Sequence, residues 1–222
     1  MRAIALMLAS GVLFIWDGAH AMDEESEKNG DGQTMKKNAI NQLEELSTKI
    51  MDAIRTIEGI LDEYGIEKTA IAFNGGKDST LLLHLVRIYT KLNLIELPGQ
   101  MKHSLAQYKE RQPHIVAALM GTRSTDPIGK YMRSKIQWSD QGWPQFLRVC
   151  PLFDWSYCDV WKGIRGLSIS YCNLYDEGYS SLGECSKTTK NSALIIEGSE
   201  HRYKPASSLN DGNLERANRD QE

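Results

Sequence analysis

Two glycines, a lysine and two hydroxyl residues stand together in residues 72–80, AFNGGKDST, between a short apolar run and an apolar helical pattern. Glycines allow backbone N–H groups to approach an oxyanion, the start of a helix adds roughly half a positive charge, and Lys77 adds a full one. This combination is typical of a phosphate-binding turn. It is not a Walker A loop, because the G-x-x-x-x-G-K-[ST] pattern is absent. The simpler alternative is a tight structural connection.

Asp78 in this turn needs a separate explanation, because a carboxylate beside bound phosphates repels them unless a cation intervenes. One interpretation is structural: an acidic residue in the first turn of a helix stabilises the helix dipole. The other is chemical: Asp78 binds Mg²⁺, directly or through water, and the metal bridges to a triphosphate. We favour the second interpretation.

A second polar loop, MGTRSTDP at 120–127, follows another apolar run. In a doubly wound sheet, ligands bind at the carboxyl ends of the strands, so both loops are expected to face one crevice. Gly121 permits close backbone approach, Arg123 can bind phosphate through its guanidinium group, and Asp126 is a second acid for a metal or an attacking group. The alternative is an ordinary polar turn capped by Asp-Pro.

Four of the five tryptophans fall between positions 138 and 161. The pair Trp155 and Trp161 is most simply explained by core packing. Trp143 lies between Gly142 and Pro144, which predicts a loop on which an indole face can stack on a planar ring. Asp140 and Arg148 could then hydrogen-bond the polar edge of a heterocycle.

Alternating strand and helix patterns must position these loops. Apolar residues recur at helical spacing in 38–64, 79–89, 101–111 and 159–167, and apolar runs typical of buried strands cover 68–73, 92–97 and 114–120. Strands alternating with helices predict a three-layer α/β fold, with a mostly parallel sheet covered by helices on both faces.

The overall charge excludes some classes of partner. A net charge of −3 gives no sequence-wide positive field, so neither nucleic-acid binding nor attachment to a membrane surface is expected. The four cysteines lack the paired spacing of a zinc site and are too few for a disulfide scaffold. We expect reduced thiols.

The N-terminal segment 1–21 resembles a secretory signal peptide or another targeting segment, because Arg2 precedes an apolar run that ends before Ala19-His20-Ala21. The run is shorter than the roughly 20 residues that span a bilayer, so stable membrane insertion is not expected. Residues 22–37 are acidic and polar and predict a flexible linker. Residues 38–222 then form one domain.

Several motifs together resemble the eukaryotic FAD synthases (FMN adenylyltransferases), which have a PP-loop domain of the ATP pyrophosphatase and PAPS reductase-like type. The resemblance covers about residues 38–219. It rests on FNGGKD at 73–78, MGTR at 120–123, TDP at 125–127, GWP at 142–144, DWSY at 154–157, YDEGY at 175–179, YKPA at 203–206 and LERANR at 214–219.

The resemblance implies a Mg²⁺-dependent nucleotidyltransferase that makes FAD and pyrophosphate from ATP and FMN. The implied catalytic residues are Asn74, Asp78, Asp126, Arg216 and Arg219, and the implied metal ligands are Asp78 and Asp126. The implied ATP-binding residues are Phe73, Asn74, Gly75, Gly76, Lys77, Ser79, Thr80, Gly121, Thr122 and Arg123. Asp140, Trp143 and Arg148 would hold the isoalloxazine ring. The family also implies small-molecule substrates, a monomer and a cytoplasmic location, which the signal-like segment 1–21 contradicts.

The sequence departs from the family between the first helix after the glycine turn and residues 92–97. A further strand and helix are expected there, yet the intervening chain is too short for a parallel crossover, so one β-α unit is missing. Ser124, Cys150 and Ser192 also differ from the usual residues. Two alternatives therefore stay open: a non-catalytic remnant that binds nucleotide or flavin, and a PP-loop sulfonucleotide reductase, which needs a nucleophilic cysteine.

Overall fold

The computed structural model describes residues 30–86, 95–183, 185–199 and 201–219. Its helices are α1 (Gly30–Tyr64), α2 (Lys77–Val86), α3 (Met101–Arg111) and α4 (Tyr157–Gly166), and its strands are β1 (Thr69–Ile71), β2 (Ala117–Leu119), β3 (Ile136–Trp138) and β4 (Leu147–Val149). Short 3-10 helices cover Ile66–Lys68, Gly129–Tyr131, Asn173–Glu177, Cys185–Lys187, Ser192–Leu194, Ala206–Ser208 and Gly212–Leu214.

The four strands form one mostly parallel sheet in the order β1-β2-β4-β3. Strand β2 pairs in parallel with β1 and with β4, in register Thr69 with Ala117 and Ala117 with Leu147. Strand β3 pairs antiparallel with β4. In this arrangement β1 and β2, which precede the two polar loops, are neighbours that run in the same direction.

One face of the sheet carries the core. Ala117, Leu119, Leu147 and Val149 are buried on this face, because alternate residues of a strand point to the same side. Helices α1, α2 and α4 cover it with Ala53, Ile57, Leu81, Leu82, Val160 and Ile164. Trp155 and Trp161 are each 3% exposed, which confirms the prediction that they pack in the core.

Helix α3 lies on the other side of the sheet. Phe146 precedes β4 and points away from Leu147, and its ring stacks on Tyr108 of α3 at a centroid separation of 6.3 Å. Helices therefore cover both faces, and the predicted three-layer α/β class is confirmed.

A capping box fixes the start of α4. The Ser156 side chain accepts from the backbone of Asp159, whose carboxylate accepts in return from the backbone N–H of Ser156. Asp159 also forms an ion pair with Lys49 of α1. The same carboxylate thus begins one helix and ties it to another.

Some predicted boundaries shift. Helix α1 begins at Gly30, inside the segment predicted as a linker, because a helix that has formed adds further residues at low cost. The strand predicted at 92–97 is not seen at 95–97, and 92–94 lie outside the described residues. The segment 1–21, residues 22–29 of the predicted linker and the junction at which a β-α unit was predicted to be missing also lie outside them. In the part of the chain that the structure describes, the helices are too short or too polar to span a membrane.

Candidate active site

The turn after β1 is closed by the side chain of Asn74. Its Oδ1 accepts from the backbone N–H of Gly76 at 3.0 Å and from the Ser79 hydroxyl at 2.8 Å. Gly75 has φ +74°, a conformation that favours glycine. Residues 74–79 thus form a preformed turn that leads directly into the N-terminus of α2.

The second loop lies against that N-terminus. A Cβ atom at Gly121 would stand 2.9 Å from the Asp78 carbonyl carbon and 2.9 Å from the Ser79 nitrogen, so only glycine allows the approach. The two loops are therefore in contact at the carboxyl ends of β1 and β2, as the sequence predicted.

Five charged side chains meet where the loops touch. Lys77 and Arg123 are 2% and 1% exposed. Nη2 of Arg123 lies 2.6 Å and 2.8 Å from the two carboxylate oxygens of Glu215, and Nε lies 2.9 Å from Asp78. Lys77 pairs with Glu215 and with Asp78, the latter at 3.2 Å, and Asp126 lies 3.3 Å from Nη2. We call these five residues the ion cluster.

Burial and charge oppose each other in the ion cluster. Burial lowers the pKa of Lys77, but the charges of Asp78 and Glu215 outweigh it, and the net pKa is raised. The pKa of Arg123 is raised by the same balance, so both side chains stay protonated. Burial raises the pKa of Asp126, Arg123 opposes the change, and Asp78 and Glu215 add to it.

The charged groups of Lys77 and Arg123 are therefore buried in the protein and do not point into solvent. Lys77 and Arg123 reach the predicted site, but carboxylates surround their charges, and the backbone N–H of Lys77 donates to the Tyr175 hydroxyl at 2.9 Å. Their predicted contact with phosphate stays a prediction. Among the described residues, Nη1 of Arg123 is buried without a hydrogen-bond partner.

The other predicted nucleotide residues lie around this cluster. Phe73 is 50% exposed beside the turn. The backbone N–H of Thr80 donates to the Gly76 carbonyl at 2.9 Å, as the first turn of α2 requires. Thr122 opposes the rise that burial causes in the pKa of the Cys150 thiol.

Of the three predicted flavin residues, two lie together. Nη2 of Arg148 is 3.2 Å from Oδ1 of Asp140, and both residues line a groove of about 380 Å³. Its other lining residues are Pro127, Ile128, Tyr131 and Met132. We call it the Arg148 groove. It begins one residue after Asp126 of the ion cluster.

Trp143 lines a different groove, of about 460 Å³, beside α3. Lys102 of that helix places its ammonium group 5.8 Å from the centre of the indole ring. The sequence predicted one aromatic loop for all three flavin residues, and the structure divides them between two neighbouring grooves.

The C-terminal arginines lie beyond the ion cluster. Arg216 is half-buried and directly follows Glu215. The Arg219 guanidinium covers Gly183, where a Cβ would stand 2.1 Å from its central carbon, and Nη1 donates to the Leu182 carbonyl at 3.2 Å. Both arginines are in the segment that supplies Glu215.

Sequence reasoning missed Glu215 and Tyr175 as site residues. Each belongs to a motif that was noticed, LERANR for Glu215 and YDEGY for Tyr175. The signal for Glu215 in the sequence is a lone carboxylate between Leu214 and Arg216, in the segment that carries the two predicted catalytic arginines.

Comparison with known proteins finds relatives of this chain. The pattern of the phosphoadenosine phosphosulfate reductase domain matches residues 98–190. A probable FAD synthase of Caenorhabditis elegans is 39% identical over 83% of this chain and 42% of that protein. A probable FAD synthase of Schizosaccharomyces pombe is 33% identical over 78% of this chain and 80% of that protein.

The chain belongs to the FAD synthase family. This confirms the family identified from the motifs. The chain spans about two fifths of the length of the Caenorhabditis elegans FAD synthase and of a second one, from Caenorhabditis briggsae.

Solved structures show that the FAD synthase fold is shared. Candida glabrata FMN adenylyltransferase superimposes with a TM-score of 0.73 at 21% identity, covering 80% of this chain and 88% of that one. Its complex with FMN and the ATP analogue AMPCPP gives a TM-score of 0.67 at 23% identity, over 78% of this chain and 91% of that one.

Proposed function

We propose that this chain is an FAD synthase that transfers AMP from ATP to FMN, releasing pyrophosphate. The observation that carries the proposal is that the two sites meet in one loop: Pro127, which lines the Arg148 groove, directly follows Asp126 of the ion cluster. A flavin in the groove and a nucleotide at the glycine turn would share Asp126 as a neighbour. The activity of the family supports the same assignment.

The glycine turn is proposed to hold the ATP phosphates. The closed turn leads into the N-terminus of α2, which provides a positive helix end, and Gly121 keeps the second loop within contact of it. A buried N–H without an acceptor costs free energy, so a phosphate oxygen at Nη1 of Arg123 would supply the acceptor that this nitrogen lacks.

The residues also fit a Mg²⁺ ion shared with the nucleotide. In the described ranges no three His, Cys, Asp or Glu residues gather as a complete metal cage. Mg²⁺ at phosphate sites is ordinarily held by one or two carboxylates together with the phosphates. Asp78 and Asp126 supply two carboxylates that are 20% and 23% exposed. When bound, the metal would neutralise charge on the phosphates.

The Arg148 groove is proposed to hold the isoalloxazine ring. Ile128 and Tyr131 are 58% and 88% exposed and offer apolar surface to a planar ring. Asp140 and Arg148 offer an acceptor and donors to its polar edge. Trp143, in the neighbouring groove, remains a predicted flavin contact.

In this reaction the chain positions the two substrates and neutralises their charge, and it supplies no nucleophile. An FMN phosphate oxygen attacks the α-phosphorus of ATP, and the bond to pyrophosphate breaks. Arg216 and Arg219 would offset repulsion between the two anionic substrates, while Asn74 keeps the turn closed. Positioning and electrostatic stabilisation account for catalysis in phosphoryl transfer generally. By family resemblance we expect a cytoplasmic monomer.

The sulfonucleotide reductase alternative finds little support in the cysteines. Such chemistry needs a reactive thiolate. Cys150 lies beside Thr122 of the second loop, but burial raises the pKa of its thiol to about 11. Cys150 therefore stays protonated near neutral pH.

The test is direct synthesis. The full chain is incubated with ATP, FMN and MgCl₂, and the products are separated by chromatography beside an established FAD synthase. We expect FAD and pyrophosphate in equal amounts, and no dinucleotide from riboflavin, which lacks the attacking phosphate. ATP and FMN binding by calorimetry without FAD formation would contradict the proposal and support the non-catalytic remnant.

A further inference from the structure

We propose that Glu215 is a positioning residue that balances the charges of Lys77 and Arg123, so that Asp78 and Asp126 remain available to a divalent cation. The inference rests on the proposed function, in which those two carboxylates hold Mg²⁺ with ATP. Glu215 itself need not touch substrate.

Lys77 and Arg123 make their shortest contacts with Glu215. Both of its oxygens lie within 2.8 Å of Nη2 of Arg123, whereas Asp126 is 3.3 Å from the same nitrogen. Lys77 also donates to Glu215, and its contact with Asp78 is 3.2 Å. The stronger charge-assisted hydrogen bonds are the shorter ones, so Glu215 makes the shortest contacts with both cations, while Asp78 also contacts both, at 2.9 Å from Nε of Arg123 and 3.2 Å from Lys77.

Burial separates the three carboxylates in the same way. The Glu215 side chain is 9% exposed, against 20% for Asp78 and 23% for Asp126. The innermost carboxylate thus meets the two buried cations, and the two outer ones reach solvent. A nucleotide and its metal arrive from the solvent side.

The charge count explains why Glu215 is needed. Two cations face three carboxylates in the ion cluster, which leaves one negative charge in excess. Without the Glu215 charge, Lys77 and Arg123 would be matched by Asp78 and Asp126 alone. The contacts that Asp78 and Asp126 already make with the buried cations would then no longer be shared with Glu215, and a divalent metal would have to compete with stronger ion pairs.

The segment around Glu215 is anchored without its carboxylate. Ser180 donates to the Glu215 carbonyl at 2.7 Å, and Asn191 donates to the Leu214 carbonyl at 2.7 Å. Asn218 donates to the Ser181 carbonyl at 3.0 Å. Neutralising the side chain therefore leaves the backbone held in place, and Glu215→Gln tests charge rather than placement.

The experiment measures ATP binding by calorimetry, once in EDTA and once with Mg²⁺, for the wild-type chain, Glu215→Gln and Glu197→Gln. Glu197 is exposed and lies outside the ion cluster, so Glu197→Gln is a control that removes an equal charge. We expect the tightening of ATP binding by Mg²⁺ to fall about 10-fold or more in Glu215→Gln, as for loss of a residue that orients metal ligands. ATP binding in EDTA should hold or improve, because the cluster is less negative, and Glu197→Gln should match wild type.

Two results would overturn the inference. An unchanged Mg²⁺ effect in Glu215→Gln, or equal weakening of ATP binding with and without metal, indicates a structural role only. If Glu215→Gln does not fold, Glu215→Asp replaces it, since the charge is kept; a folded Glu215→Asp that loses the Mg²⁺ effect also overturns it. A wild-type chain that binds no ATP with Mg²⁺ overturns the proposed function first.

Discussion

The arginine of the ion cluster and the arginine of the Arg148 groove differ in burial and in the number of carboxylates that they contact. Arg123 is 1% exposed and meets three carboxylates, whereas Arg148 is 13% exposed and meets one, Asp140, whose side chain is 67% exposed. A buried charge must keep its partners because the interior cannot solvate it, while a charge at the surface can exchange its partner for water or a ligand. The cluster is thus suited to holding fixed geometry, and the groove to receiving a molecule.

The strongest way to break this contrast is Arg123→Met. Removing the guanidinium leaves Glu215, Asp78 and Asp126 facing one cation, and breaking a buried ion pair in this way costs about 3–5 kcal/mol. Urea unfolding should show that loss. The matched change Arg133→Met, at an exposed arginine, should alter the free energy of unfolding little, and equal effects of the two would contradict the buried role of Arg123.

Gly121→Ala should separate the two loops of the cluster. The added methyl group would stand 2.9 Å from backbone atoms of Asp78 and Ser79, and such overpacking costs about 1–3 kcal/mol. Thermal unfolding and ATP affinity should both fall. Gly59→Ala in α1, where nothing lies within 4 Å of the new Cβ, is the control and should stabilise the chain by up to about 1 kcal/mol.

Asp140→Ala should affect binding more than folding. Because its ion pair with Arg148 is exposed, the free energy of unfolding should change by less than about 1 kcal/mol. FMN affinity should fall about tenfold, the effect of one charge-assisted hydrogen bond. Asp62→Ala, on the exposed side of α1, should leave FMN affinity unchanged; a large loss of stability in Asp140→Ala would show that the groove is part of the core.

Asp126→Asn should give the smallest effect, a change in pH dependence. Burial raises the pKa of Asp126 in the folded chain, so the folded state binds this proton more tightly than the unfolded state, and protonation adds stability. That contribution is full below the unfolded pKa and is lost as the pH rises through the raised one. As the pH falls from 7 to about 4, the free energy of unfolding of the wild-type chain should therefore rise relative to that of Asp126→Asn. A difference between the two that does not change with pH would contradict the buried environment of Asp126.

Local patterns predicted the parts of the fold that depend on local sequence. Helix α3 has the predicted bounds, because its ends carry local signals, and the meeting of the two loops follows from parallel strands that end at one edge. Strands β3 and β4 were not predicted. They have three residues each, as β1 and β2 do, but each has a polar residue at its centre and neither lies in a continuous apolar run.

The remaining site features depend on contacts between distant residues. Lys77 and Glu215 are 138 positions apart, and no spacing rule relates them. The burial of the Lys77 and Arg123 side chains likewise depends on where the C-terminal segment that carries Glu215 packs. The division of Trp143 and Arg148 between two grooves depends on how α3 lies against Phe146.

The order in which the ion cluster is built has a consequence for folding. Synthesis proceeds from the N-terminus, and contacts between distant residues form late. Helix α2, which begins at Lys77, and the loop after β2, which contains Arg123, are synthesised before Glu215. Until it arrives, the two cations have only Asp78 and Asp126 within the cluster, so the cluster reaches its final charge only when Glu215 packs against them.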